Sequence, residues 1–451
     1  SCCSDASHRA GKTKEEVRMN IALRLLSSVI GLCLLAITLF IPDLQSSLVK
    51  NAREVSVDVK PLPLKIVCPG AMVEVAGQSG VEVGKIERVG TARLWSQGSS
   101  IGLPIEERSE NAYPINAEGD SQSTELLSAI QTQVVDRNRA AGLIAGYCEQ
   151  PASSGWFASG DGGTGRESVL VVNNPSEVDT QLLLEFHLSG KVITERYVIA
   201  ALSDKLISLA AIVGVEPSYA LYFESGGAPL SVALQHRYSD GLTPLGVSLT
   251  TAVREPATEL WIAPIDVLAE GFEKPRLRIF APRNAANVSI TVPGTSFART
   301  ELVESGSLKE LELDLVGGVF ALKIQSDEVV VAQLLNPSLS PLDYSWLSSL
   351  EPLTAIHMPL SNFSQELALL NPTDSSLEVE VVTRAAQGSN SASISLSPGK
   401  LLMLPISGIS FTARADGTFM AAHRILDDFG YEVINPSENS NVGQSLRVLV
   451  R

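Results

Sequence analysis

The sequence predicts an all-β protein: tandem immunoglobulin-like β-sandwich repeats that follow one N-terminal transmembrane helix. Three observations predict it. A strand, a polar turn and an alternating strand recur in that order three times; each copy closes on a further pair of short apolar strands; and a lone apolar run of membrane-spanning length stands near the N-terminus.

The third copy is the clearest. Leu367-Ala368-Leu369-Leu370 reads as a buried strand, Asn371-Pro372-Thr373-Asp374-Ser375 as a turn, and Leu377, Val379 and Val381 alternate with Glu378 and Glu380 as a half-buried strand. Proline fixes φ and lacks a backbone donor, so Pro372 stays out of a ladder, while Asn371 and Asp374 cap exposed groups of the reversal. The first copy runs Val169 to Val172, Asn173-Asn174-Pro175-Ser176-Glu177, then Leu182, Leu184 and Phe186. The second runs Leu277 to Phe280, Ala281-Pro282-Arg283-Asn284, then Val288, Ile290 and Val292. Their closing pairs flank Ser225-Gly226-Gly227, Ser326-Asp327 and Asp416-Gly417. Asp-Gly and Gly-Gly tolerate positive φ, which predicts hairpin turns there. The copies lie about 90 to 110 residues apart, the size of one β-sandwich.

The chain has 451 residues and a formal charge of −16. That charge repels nucleic acid and anionic lipid, so a nucleic-acid partner is not expected. Leu25 to Ile41 is a predominantly apolar run without a charged residue, and with Ile21, Ala22 and Leu23 it gives a span of about twenty residues ending at Pro42. Arg9, Lys12, Lys14, Arg18 and Arg24 precede or open it, which leaves the short N-terminus in the cytoplasm and the bulk of the chain outside. A cleaved signal peptide is the rival reading, although Gln45-Ser46-Ser47 makes a poor cleavage site. Cys68 and Cys148 then lie in an oxidising compartment and are expected to form a disulfide, with two buried thiols as the alternative.

In order, the expected parts are a cytoplasmic segment 1–20, a signal-anchor helix 21–41, a stalk 42–63 stiffened by Pro61-Leu62-Pro63, a first sandwich 64–255 with a disulfide-tied N-terminal extension, a second sandwich 256–350 and a third 351–451. Thr91 to Trp95 and Ala140 to Tyr147 read as short strands, Ser96 to Ser123 as a long surface loop, Leu126 to Val135 as helix or strand, and Pro337 to Leu350 as a linker.

No catalytic, cofactor or metal site emerges from this pattern. Gly98-Ser99-Ser100-Ile101-Gly102 fits a nucleophile elbow, but Leu103-Pro104 and an acidic loop follow where a helix is required. Gly160-Asp161-Gly162-Gly163-Thr164-Gly165 leads into a strand, so it reads as a β-loop and not as a dinucleotide site. His236-Arg237 and His423-Arg424 occupy one position in two copies where the middle copy has Leu334, which marks a packing site. His187 and His357 stand in other strand contexts, and no two histidines have metal-ligand spacing. Trp156 and Trp261 open their repeats and read as core. Trp95 and Trp346 fall outside the repeat pattern and are the candidate ligand-facing aromatics, for a sugar ring stacks on such a face.

Cys68-Pro69-Gly70, the approach from Cys148-Glu149-Gln150-Pro151 to Trp156-Phe157, Leu170-Val171-Val172-Asn173-Asn174-Pro175, Gly241-Leu242-Thr243-Pro244-Leu245-Gly246 and Ser326-Asp327-Glu328-Val329-Val330-Val331-Ala332 together resemble a domain-of-unknown-function family of actinobacterial envelope proteins. The resemblance covers nearly everything after Leu64. It implies a membrane-anchored or secreted protein, often encoded beside membrane glycosyltransferases, with no established activity. Ala281-Pro282 departs from the Asn-Pro of the other copies and weakens any ligand role for that asparagine. The expectation is a non-enzymatic, single-pass scaffold or binding partner in envelope polysaccharide or cell-wall assembly. The competing expectation is an extracytoplasmic glycan-acting hydrolase or transferase whose paired carboxylates come from Glu106, Glu107, Glu110 or Asp161 in the first domain.

Overall fold

The computed structural model describes residues 53–58, 64–75, 85–97, 105–117, 127–267, 273–437 and 445–450. The expected membrane span 21–41 and the Gly98–Gly102 motif lie outside them. Among the described residues no helix is long and apolar enough to cross a membrane. The chain divides into two compact units. One holds the antiparallel pair Arg53–Asp58 and Ser445–Val450, so part of the expected stalk is a β-strand. The other, Leu62–Val442, holds every other described element.

The all-β expectation holds: among the described residues the regular structure is nearly all strand, with one helical turn at Ala210–Val213. Residues 154–251 form two four-stranded sheets. In the first, Ser154–Gly160, Tyr219–Ser225, Thr180–Leu188 and Lys191–Ile199 lie side by side; in the second, Ser203–Ser208, Arg166–Asn174, Ser231–Asp240 and Thr243–Thr251. Thr180–Leu188 shows why they stack: Leu182, Leu184 and Phe186 are fully buried while their neighbours are less so, giving the strand one core face. The interior between the sheets is Phe157, Leu170, Val172, Leu182, Leu184, Phe186, Tyr219, Leu221, Phe223 and Leu234.

The same strand order recurs in residues 257–348 and 353–434. There one long strand, Gly318–Leu339 or Ser410–Asp427, crosses from one sheet into the other and joins both sheets into a seven-stranded system. The hairpins expected at Ser326-Asp327 and Asp416-Gly417 are therefore sheet crossings, and Ser225-Gly226-Gly227 connects opposite sheets too. The apolar residues on either side line one interior from opposite walls, so the backbone bends instead of reversing.

The Asn-Pro turns are likewise arches between sheets, and their asparagines are clamps. Asn174 Nδ2 donates to the carbonyls of Val178 (2.8 Å) and Ile199 (3.1 Å), and its Oδ1 accepts from Ser176. Asn371 repeats this with Ser375 (2.7 Å), Leu396 (2.8 Å) and Thr373.

The tight hairpins lie elsewhere. Ser231–Asp240 turns into Thr243–Thr251, Gly318–Leu339 into Leu342–Ser348, and Ser410–Asp427 into Gly430–Ile434. Pro337–Leu350 is thus the innermost hairpin of its sandwich and not a linker. The N-terminal extension supplies a fourth, Ser128–Arg137 into Ala140–Tyr147, within a sheet ordered Ile105–Ser109, Ala92–Gln97, Ser128–Arg137, Ala140–Tyr147. This order matches the hairpin-bearing sheets of the three sandwiches. It also shows the segment read as helix or strand to hold the strand Ser128–Arg137, and it places the strands Ile105–Ser109 and Tyr113–Ala117 inside the expected loop.

The last strands of the four hairpins contact one another in a closed ring. Cores seal each joint. Met72, Val135 and Ile144 meet Ala233, Val247 and Leu249; Ala158 and Ala220 meet Phe280 and Val331; Ile262 and Leu334 share a cluster with Leu370, Ala422 and Tyr431; and Trp95, Ile130 and Leu143 join Leu367, Phe419 and Ala421. The modules are arranged around an axis, with the fourth closing on the first.

Candidate functional site

Two polar sites follow from the ring, one on its axis and one at its end. On the axis lies Asp343, fully buried at the start of its strand. Its Oδ1 accepts from Val247 N and Tyr344 N, each at 2.9 Å; its Oδ2 accepts from Leu143 N at 2.9 Å and Tyr431 N at 3.1 Å. The four donors come one from each hairpin. Gly142, Gly246 and Gly430 hold the corresponding places in the other three strands, and a Cβ on any of them would fall 2.2–2.6 Å from a carboxylate oxygen of Asp343. One hairpin supplies the carboxylate and three supply the room.

Burial pushes the Asp343 carboxyl well above the usual range, and its four backbone bonds pull the other way. Both oxygens are already filled by donors, so a proton on either would displace a hydrogen bond. On that geometry we assign the ionised form. Glu432, also fully buried, accepts from Leu249 N at 3.1 Å, Ser248 Oγ at 3.1 Å and Ser345 Oγ. Burial raises its carboxyl well above the usual range, and the charge of Asp343 raises it further.

At the end of the ring the chain leaves all four inner strands around a cavity of about 420 Å³. Glu149 follows the first strand, Thr251 to Glu255 the second, Ser348 to Pro352 the third and Asn435 to Ser437 the fourth. Leu260, Leu350 and Met420 supply apolar wall. Glu149 is part-buried, and its carboxyl is pushed up to about 7, first by burial, with Arg254 opposing and Glu351 adding to the rise. Its position is pinned twice. Val67 exchanges backbone hydrogen bonds with it at 2.9 and 3.2 Å, and the preceding residue is bonded to Cys68. A carboxyl poised near neutral pH can hold a cation when ionised or donate a proton when it is not.

The expected disulfide Cys68–Cys148 is present, with Cα atoms 4.3 Å apart. The expectation that Trp95 and Trp346 face a ligand is corrected, for their exposures are 4% and 2%. Trp95 fills the joint between the N-terminal module and the third sandwich. Trp346 lies under the buried guanidinium of Arg278, 4.9 Å from its ring, and donates from Nε1 to Tyr238 OH at 2.5 Å. Both belong to joints that become visible only once the ring is closed.

The carboxylates named for an enzymatic reading do not converge. Glu106 and Glu110 are exposed and Glu107 is half-exposed. Asp161 is buried against cations, 3.0 Å from Arg166 Nη1 and 3.3 Å from Arg278 Nη2. His236 and His423 are fully buried, in keeping with a packing position. Among the described residues no group of three or more His, Cys, Asp or Glu could hold a metal ion.

Asp343 and Glu149 were not anticipated, yet a signal existed. Gly142-Leu143, Gly246-Val247, Asp343-Tyr344 and Gly430-Tyr431 are equivalent pairs in four hairpins, and aligning the hairpins themselves exposes one carboxylate among three glycines.

No curated protein matches the chain. A solved structure described as the crystal structure of Thermotoga maritima 1070 is similar over 23% of this chain and 96% of that one, with 17% identity and a TM-score of 0.21. Residues 106–406 match a family of unknown function, DUF5719. Since that match spans more than half of the sequence and takes in all or part of each of the four hairpin modules, the chain belongs to the DUF5719 family.

Proposed function

We propose that the protein is a non-enzymatic binding and scaffold protein of the cell envelope, anchored by its N-terminal apolar segment with the β-structure displayed outside the cytoplasmic membrane. Its partner there is an envelope glycosyltransferase or a cell-wall polysaccharide. One observation carries the non-enzymatic part: the buried carboxylate on the axis, Asp343, has both oxygens occupied by backbone donors from all four modules, so it works as a structural pin. The disulfide supports an oxidising compartment, where such bonds persist. The apolar run from Leu25 to Ile41 supports the anchor.

Crosslinking in intact cells followed by mass spectrometry tests this reading. Envelope-synthesis proteins or wall glycan should be recovered; recovery of cytoplasmic proteins alone would overturn it.

A second reading, a glycan-acting hydrolase or transferase, draws on Glu149, whose carboxyl titrates at about 7 beside Glu351 in an open cavity. Purified protein incubated with isolated wall glycan should then release new reducing ends, or transfer glycan onto an added acceptor, and Glu149→Gln should abolish it. Absence of both release and transfer removes this reading.

A further inference from the structure

We propose that the cavity at the end of the ring is a binding site for a primary amine on an aliphatic stem, the chemistry of a lysine side chain presented by a partner polypeptide. The inference rests on the binding reading above and selects a protein partner over a polysaccharide.

Size, wall and charge each point that way. About 420 Å³ falls within the range of pockets that hold small organic groups. The wall is aliphatic: Val253, Leu260, Leu350 and Met420 are buried around it, and its lining includes no aromatic ring on which a sugar could stack. A methylene stem packs on such a surface while its head stays at the polar rim.

The charge at that rim is negative. Glu149, Glu255, Glu259 and Glu351 line the cavity against Arg254. Glu259 is engaged by Lys323, Trp261 and Gln325, and Arg254 donates to the carbonyl of Gln150 at 3.0 Å. Glu255 and Glu351 remain to receive a cation, beside Glu149, whose carboxyl bonds the Thr251 side chain and is drawn on by Arg254. An ammonium head with three donors fits carboxylates that come from different strands better than a planar guanidinium does, because its contacts need not share a plane.

The pocket is also sensitive to pH. Glu149 is ionised above about 7 and protonated below, so an amine should bind more tightly as pH rises from 6 to 8. The disulfide at Cys148 holds the residue in place at the rim.

The test is an NMR titration of the purified full-length chain with Nα-acetyl-lysine methylamide. The controls are its Nε-acetylated form, the arginine analogue and glucosamine. Saturable binding with a Kd of about 1 mM is expected for the lysine probe, weakened about tenfold by Nε-acetylation, by Glu149→Gln and by Glu351→Gln. Glu351 is exposed, so its variant reports on binding even where Glu149→Gln disturbs folding. Absence of saturable binding, equal binding of the Nε-acetylated probe, or a preference for glucosamine or the arginine analogue would overturn the inference. A preference for glucosamine would leave the broader binding reading intact, since that reading is tested separately by crosslinking.

Discussion

Leu143 donates its backbone N–H to the Asp343 carboxylate across 2.9 Å of space and 200 residues of sequence. The bond joins the N-terminal module to the second sandwich through the axis, and three further donors make the same carboxylate the meeting point of the ring. A buried anion with four donors is satisfied only when every module is in place, which makes closure of the ring cooperative.

Asp343→Asn should therefore be severely destabilising although it is nearly isosteric. The amide NH₂ replaces one acceptor oxygen and faces two backbone N–H groups, leaving both unpaired at about 1–3 kcal/mol each. Asp343→Ala strands all four. Denaturant unfolding of both variants beside wild type measures the order, and an Asn variant as stable as wild type would refute the pin.

The glycines opposite make the complementary prediction. A Cβ at position 246 would lie 2.6 Å from Asp343 Oδ1 and 2.7 Å from the backbone N of Tyr344, and one at 430 would lie 2.3 Å from Leu143 N. Backbone cannot yield as a flexible side chain does, so Gly246→Ala and Gly430→Ala should each cost about 2 kcal/mol or more. Gly227 is a useful control, for a Cβ there meets Thr180 at an ordinary 3.6 Å. A melting temperature for Gly246→Ala no lower than for Gly227→Ala would contradict the packing.

The disulfide closes a loop whose ends are 80 residues apart in sequence and ties the Leu64–Cys68 strand to the end of an inner strand. Replacing both cysteines by serine should lower stability by about 2–5 kcal/mol. Reduction should add two hydrogens, about two daltons, to the intact mass; no gain would mean free thiols.

Much of the strand pattern is legible in the sequence because burial imposes a period of two, as in Leu182, Leu184 and Phe186. The Asn-Pro arches are legible too, because Asn174 and Asn371 clamp them identically. The partners of each strand are not. Ser326-Asp327 looks like a turn locally, and only the packing of two sheets reveals that the strand continues. Trp346 looks free because its shield, Arg278, lies 68 positions away on a different strand. Asp343 escapes notice for the same reason: its donors come from four hairpins, and nothing near it in sequence marks them as neighbours.

Glu149 carries a pH signature of definite sign. Its folded-state value of about 7 lies above the ordinary 4.5, so between these limits the folded chain keeps a proton that the unfolded chain has released. Stability contributed by this group is full below about 4.5, falls as pH rises and levels off above about 7. Unscreened, the fall would be about 3 kcal/mol, and screening reduces it because the residue is only part-buried. Glu149→Gln should flatten that limb in unfolding curves taken from pH 5 to pH 8; an unchanged slope would assign the pH dependence elsewhere.

His423 gives the opposite sign. It is fully buried between strands, packs edge-on to Phe411 at 5.9 Å, and has no hydrogen-bond partner for either ring nitrogen among the described residues. Burial holds its pKa down to about 3 from the usual 6.5, so the neutral ring contributes stability that is complete above 6.5 and lost as pH falls towards 3. The middle sandwich solves the same position with Leu334, which is fully buried in its own core. His423→Leu should therefore fold, gain about 1–2 kcal/mol at neutral pH by removing two unsatisfied polar atoms, and unfold at a lower pH than wild type. Acid titrations followed by circular dichroism measure the midpoint. A variant that is less stable at pH 7 and keeps the wild-type acid midpoint would show that the histidine is held by an interaction its neighbours do not reveal.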